Sequence, residues 1–157
     1  MKHTESDGAA MQRALELARQ SLVADDPDVP VGALVFDAAG RVIAESGNRR
    51  EALTDPTAHA EIVVLRDAAL HLGDSHLVGC TLVVTLEPCP MCAGAAQLAR
   101  VDRVVFGAWN DEYGAAGSAW DLLRDRRVSH RPEVIGGVLA EECGAVVREF
   151  FARRRLD

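Results

Sequence analysis

The stretch TLEPCPMCAG, Thr85 to Gly94, constrains this chain more than any other, because it sets two cysteines three positions apart behind an apolar, β-branched run. Cys89 and Cys92 are half of a metal site, a redox pair or a disulfide, and each possibility demands a different protein around it. A chain of 157 residues buries enough surface to fold without covalent staples. Its polar start, MKHTESDG, lacks the apolar run of a secretion signal, and no segment has the unbroken apolar length of a membrane span. The expected location is the cytoplasm, with no membrane partner. A permanent disulfide is disfavoured there, which leaves metal binding or redox cycling.

The rest of the chain alternates helical and extended periods. Met11, Leu15, Ala18 and Leu22 recur at helical steps and predict a helix over residues 9–23, broken by DDPDVP. VGALVFD and RVIAES flank a turn at Gly40 and predict a hairpin. After the loop NRREALTDP, Asp55 or Thr57 is expected to cap a second helix, with Pro56 near its first turn and a buried stripe of Ile62, Leu65, Ala69 and Leu72. Gly73 ends it. CTLVVTL predicts a strand buried on both faces, PMCAGAAQLAR a helix, and VDRVVFGA another strand. A short helical piece around Trp120–Leu123, a strand at EVIGGV and a terminal helix from Glu141 to about Arg154 complete the pattern. One sheet with helices on both faces follows, in one domain over residues 1–157.

This order puts Cys89 and Cys92 just past a central strand, in the first turn of a helix. Open sheets place their sites there, and the unpaired amides of a helix start favour thiolate over thiol. Residues three apart share a helix face, so both sulfurs can reach one ion. The remaining ligand has to come from five histidines or from Cys80 and Cys143. His3 lies near the terminus, His71 and His76 flank a helix end, and His130 sits among arginines, all expected to be solvated. Cys80 and Cys143 read as small core residues. His59 opens the helix that begins in TAHAEIVVL, with Glu61 two positions on.

His59-Ala60-Glu61 opening one helix and Pro88-Cys89-Pro90-Met91-Cys92 opening the next resemble the signature of zinc-dependent nucleobase deaminases. A thioredoxin-like reading leaves His59 and Glu61 unexplained. The resemblance implies one Zn2+ per subunit on His59, Cys89 and Cys92, with a fourth position open to water whose pKa the metal lowers. Glu61 is then the catalytic proton shuttle. Beyond these motifs the chain resembles the bacterial tRNA-specific adenosine deaminases nearly end to end. The match runs through DVPVGALV, GNRR, DPTAHAEI, TLEPCPMCAGAAQLARVDRVVFGA, GAAGS and HRPEVIGGVLAEECGAVVREFFARRR. That family implies a three-layer αβα, cytidine-deaminase-like α/β fold with a mixed sheet of about five strands. It also implies a homodimer that converts adenosine to inosine at the first anticodon position of a tRNA. By the same resemblance Asn48 contacts the nucleoside, Ala60 offers its backbone amide to the base, and Pro30 and Val31 line the pocket. Of the adjacent Phe150 and Phe151, one is expected in the core and the other, Phe151, exposed toward a base or a partner subunit.

The net charge of −7 argues against binding nucleic acid through a diffuse positive field, so an anticodon arm is expected to meet local clusters, drawn from Arg153–Arg155, Arg124, Arg126, Arg127 and Arg131, which otherwise read as solvated surface. The chain departs from the family after FGA, where Trp109-Asn110 stands in place of a residue followed by aspartate, and Glu112 in place of a lysine. An amide at position 110 changes the partner offered to a ribose 2′-hydroxyl. Two other readings share the zinc motifs: a small-molecule guanine or cytosine deaminase, and a non-catalytic zinc-stabilised RNA-binding module.

Overall fold

The computed structural model describes residues 4–23 and 27–156; His3, and the Asp25-Asp26 part of the expected break, lie outside them. Helix α1 (Glu5–Gln20) is followed by β1 (Gly32–Phe36), β2 (Val42–Gly47), α2 (Ala60–Leu72), β3 (Thr81–Leu86), α3 (Pro90–Leu98), β4 (Arg103–Ala108), β5 (Glu133–Ile135) and α4 (Ala140–Arg154). The sheet order is β2-β1-β3-β4-β5. β1 is antiparallel to β2 and β3, whereas β3, β4 and β5 run parallel. This is the expected mixed five-stranded sheet, and parallel pairing forces the crossover helix α3 between β3 and β4.

Alternate residues of each strand supply opposite faces. Ala33, Val35, Leu82, Val84, Val104 and Phe106 form one core with α2 and α3. Leu34, Val83 and Val105 form the other with α1 and α4. Strands buried on both faces therefore read as continuous apolar runs, which is why CTLVVTL is legible. On the second face α4 comes close enough that a Cβ at Gly107 would collide with Cys143 and with the Thr85 carbonyl.

Several expected boundaries shift. α1 begins at Glu5, not Ala9, because Thr4 and Asp7 make a reciprocal capping box that holds a turn carrying little apolar periodicity. Neither Asp55 nor Thr57 caps α2: Asp55 accepts from the Thr57 amide and hydroxyl in a closed turn, and His59 is the residue before the helix. Pro56 accordingly lies ahead of α2, not in its first turn. The buried side of α2 is Ile62, Val64, Leu65 and Ala68, with Leu72 exposed. Residues 120–123 form no helix, since Asp121 bridges back to Ala116 and ties this segment to its own loop. β5 stops at Ile135, before the two glycines of EVIGGV. His130 is half-buried rather than solvated, with Nε2 2.7 Å from the Val101 carbonyl oxygen.

Candidate active site

Because β1 opposes β3, the approach to β1 and the carboxyl ends of β3 and β4 meet at one edge of the sheet, where α2 and α3 both begin. His59 precedes α2 with extended backbone (φ −60°, ψ 152°), and Cys89 precedes α3 in the same way (φ −71°, ψ 172°). Neither side chain caps its own helix. Each leans past its helix end toward the other. Pro90, at the start of α3, has no amide to leave unpaired.

His59 Nδ1 lies 3.5 Å from Cys92 Sγ and 3.7 Å from Cys89 Sγ. Zinc bonds of about 2.3 Å to sulfur and about 2.1 Å to nitrogen make the S···N edge of a tetrahedron about 3.6 Å. Both S···N edges therefore match a tetrahedral zinc ion, and among the described residues the trio is the one His/Cys/Asp/Glu group whose ligand atoms all lie within 4.8 Å of one another. Hydrogen bonding from Cys92 and His59 holds the Cys89 thiol far down, at about 4, against its partial burial. Cys92 is pushed up by that same bond and by burial, and His59 is raised chiefly by Cys89.

Glu61, two residues into α2, is 4% exposed, and burial pushes its carboxyl up to about 7. It shares the floor of a cleft of about 810 Å³ with His59, Ala60 and Cys89. Val31, Asn48, Asn110 and Phe151 line the same cleft, as do Arg50, Tyr113 and Arg154. Pro30 is buried and stands outside the lining; Pro27 and Val29 take that side of the wall with Val31. Asn48 acts as a loop brace too, with Oδ1 accepting from the Arg50 amide at 3.1 Å and Nδ2 donating to the Val29 carbonyl at 3.3 Å. Phe150 is core and Phe151 is exposed at the rim. Of the expected arginine clusters, Arg124, Arg127 and Arg153 pair with Asp121, Asp125 and Glu149.

Sequence reasoning missed Glu87. This buried carboxylate accepts from the backbone amides of Asn110 (2.9 Å), Ala116 (3.1 Å) and Ser118 (2.9 Å), and from the Ser118 hydroxyl. The Ala115 amide donates to the Pro88 carbonyl at 2.7 Å, next to the zinc ligands. GAAGS is therefore the cradle of an internal carboxylate, and the loop it closes carries Asn110 and Tyr113 into the cleft. A buried charge needs several donors. An acidic residue at the end of an apolar strand, with a glycine- and serine-rich loop downstream, was the available clue.

The αβα sandwich and its histidine-cysteine trio define a zinc-binding deaminase domain: residues 4–108 match the family described as the cytidine and deoxycytidylate deaminase zinc-binding region. Within that class the chain belongs to the tRNA-specific adenosine deaminases. It is 44% identical to the tRNA-specific adenosine deaminase of Haemophilus influenzae, over 97% of this chain and 87% of that one. A structure solved in work on A-to-I editing by tRNA:A34 deaminases superposes with a TM-score of 0.82 at 41% identity, covering 88% of this chain and 98% of that one. A guanine deaminase from Nitrosomonas europaea gives a TM-score of 0.78 at 30% identity, over 92% of this chain and 84% of that one. The chain is also 49% identical to a tRNA(Ile)-lysidine synthase of Deinococcus deserti over 93% of its own length, but it spans only 27% of that protein.

Proposed function

We propose that this chain hydrolyses adenosine to inosine, releasing ammonia, at the wobble position of a tRNA anticodon, and that it works as a cytoplasmic homodimer. The observation that carries the reading is Glu61, a buried carboxylate held near neutral proton affinity beside three ligands of one zinc ion. His59, Cys89 and Cys92 would hold a zinc ion, which when bound would make a water acidic enough to lose a proton near neutral pH. Glu61 would carry one proton of the attacking water to the ring nitrogen as oxygen bonds to C6, and the second to the exocyclic amine as the C6–N bond breaks and ammonia leaves. Ala60, first residue of α2, has an amide free of helix bonding that meets the base. Val31 walls the base, Asn48 meets the nucleoside, Asn110 the ribose, and Phe151 stacks at the rim.

An adenosine in RNA is favoured over a free base because similarity to tRNA enzymes exceeds that to the guanine deaminase, 44% and 41% against 30%. That solved guanine deaminase nevertheless supports a second reading, deamination of free guanine. Leu70 on α2 and Leu98 on α3 each present an apolar side chain to solvent, which contact with a second subunit would cover. Four free cysteines suit a reducing compartment. Among the described residues no helix is long and apolar enough to cross a membrane. Incubation with an anticodon stem-loop bearing wobble adenosine is expected to give inosine, while free guanine releases no ammonia. The opposite pair of results establishes the second reading, and sedimentation velocity checks the dimer.

A further inference from the structure

The chain has few aromatic residues: four Phe, two Trp and one Tyr. Both tryptophans and the single tyrosine fall between residues 109 and 120, and all three are exposed: Trp109 50%, Tyr113 63% and Trp120 48%. Trp109 has a structural explanation, since its ring meets Phe106 edge to face with centroids 4.8 Å apart. Tyr113 and Trp120 have none. Their ring centroids lie 6.4 Å apart at a 55° tilt, and Tyr113 lines the cleft directly. Together the two rings leave a contiguous aromatic surface open to water, and covering it would be favourable.

The backbone leaves these rings little freedom to fold away. Glu87 anchors residues 110, 116 and 118. The Trp120 amide donates to the Gly114 carbonyl at 2.9 Å, and its own carbonyl accepts from the Gly117 amide at 2.8 Å. The ledge is thus built before any ligand arrives, so that stacking on it costs little ordering entropy.

We propose that Tyr113 and Trp120 form a stacking ledge for the base of a nucleotide adjacent to the one that enters the cleft. The inference rests on the single-stranded RNA substrate proposed above, and it adds the means by which an acidic protein grips that RNA. Three features favour this occupant over a protein surface. Tyr113 is continuous with the reacting pocket, Arg50 and Arg154 line the same cleft and suit a phosphate backbone, and ring stacking accepts any base.

The test compares wild type with Tyr113→Leu and Trp120→Leu on anticodon stem-loops that are intact or abasic on either side of the wobble adenosine. Wild type is expected to lose about tenfold in kcat/KM when the stacked neighbour is made abasic. The variants lose a similar factor on intact RNA and nothing further on that abasic RNA. Additive losses, or variants as good as wild type, overturn the ledge while leaving the deaminase reading intact. No inosine from wild type on intact RNA removes both. A second readout is independent of turnover: in Trp109→Phe, where Trp120 is the sole tryptophan, intact RNA quenches the emission and the abasic RNA quenches it less. Equal quenching by both RNAs overturns the proposal. So does dissociation of a dimer in the Leu variants by sedimentation velocity, which would make the ledge a subunit interface.

Discussion

The carboxylate of Glu87 occupies the space into which a side chain at Gly114 would project, so that a single methyl group there overlaps Oε2. Gly114 is required for room, not for an unusual backbone angle. We predict that Gly114→Ala destabilises the fold by about 1–3 kcal/mol, lowering Tm by roughly 3–10 °C. Ser118→Ala, which removes only the hydroxyl donor, should cost about 1 kcal/mol. Both should raise KM more than they lower kcat, because the displaced loop carries Asn110 and Tyr113 and not the zinc ligands. Thermal unfolding together with stem-loop kinetics checks this, and unchanged KM would sink it.

Separate losses are expected at Glu61 and at the trio. Glu61→Gln should keep about one zinc per chain and lose about 10²- to 10⁴-fold in kcat, as expected when a proton shuttle is removed. Cys89→Ser and His59→Ala should lose the metal itself, together with stability, because binding free energy is part of folding free energy. Metal analysis of the purified variants distinguishes the cases. A Glu61→Gln protein that retains activity would falsify the shuttle role.

Acid stability should depend on Asp7. Burial works to raise its carboxyl, but bonds from Arg103 and from Thr4 outweigh that and hold it below the ordinary 3.8. A group depressed in the folded state stabilises the fold above its unfolded pKa and loses this contribution as pH falls through the folded value. Asp7→Asn should therefore cost on the order of 1 kcal/mol at pH 7, with the gap narrowing below pH 3.8. Urea unfolding of both proteins across that range measures the gap. A gap independent of pH contradicts the assignment.

Asn110 uses Oδ1 to accept from the Tyr113 amide at 3.1 Å, which leaves its Nδ2 edge to meet a substrate. Asn110→Asp preserves the acceptor and turns only that edge from donor to acceptor. We expect the aspartate variant to favour RNA over the matching single-stranded DNA more strongly than wild type does, since a carboxylate accepts from a 2′-hydroxyl and repels phosphate. Adenine deamination in paired RNA and DNA stem-loops reads this out, and an equal RNA-to-DNA ratio in the two proteins counts against it.

The zinc trio was legible because its geometry is nearly local: each ligand sits where a helix starts, and helix starts leave marks in sequence. The sheet was legible because burial on both faces writes continuous apolar runs such as LVV in β3. Glu87 was not, although it stands two residues from Cys89, because its partners are backbone amides some 23 to 31 residues away. Backbone donors carry no sequence mark. Residues 120–123 misled for the same reason: the segment's period suits a helix, but the Ala116–Asp121 bridge binds it into the loop. At the start of α1 polar capping outweighed apolar periodicity, and at Asp55 a side-chain turn mimicked a cap. Pro30 matched its motif but is buried outside the cleft that Val29 and Val31 line.

The Glu87 cradle also tells an engineer where this chain can be rewritten. The three candidate metal ligands and Glu61 fall between His59 and Cys92, whereas Asn110 and Tyr113 reach the cleft from a separate loop that is clipped to that unit through the Glu87 carboxylate and the Pro88 carbonyl. A library over residues 109–120 that fixes Gly114 and Ser118 keeps the clip and frees Trp109, Asn110, Tyr113 and Trp120 to vary. We expect members of such a library to differ in the substrate they take while keeping the His59, Cys89 and Cys92 group intact, and metal content measured beside activity on paired substrates checks this.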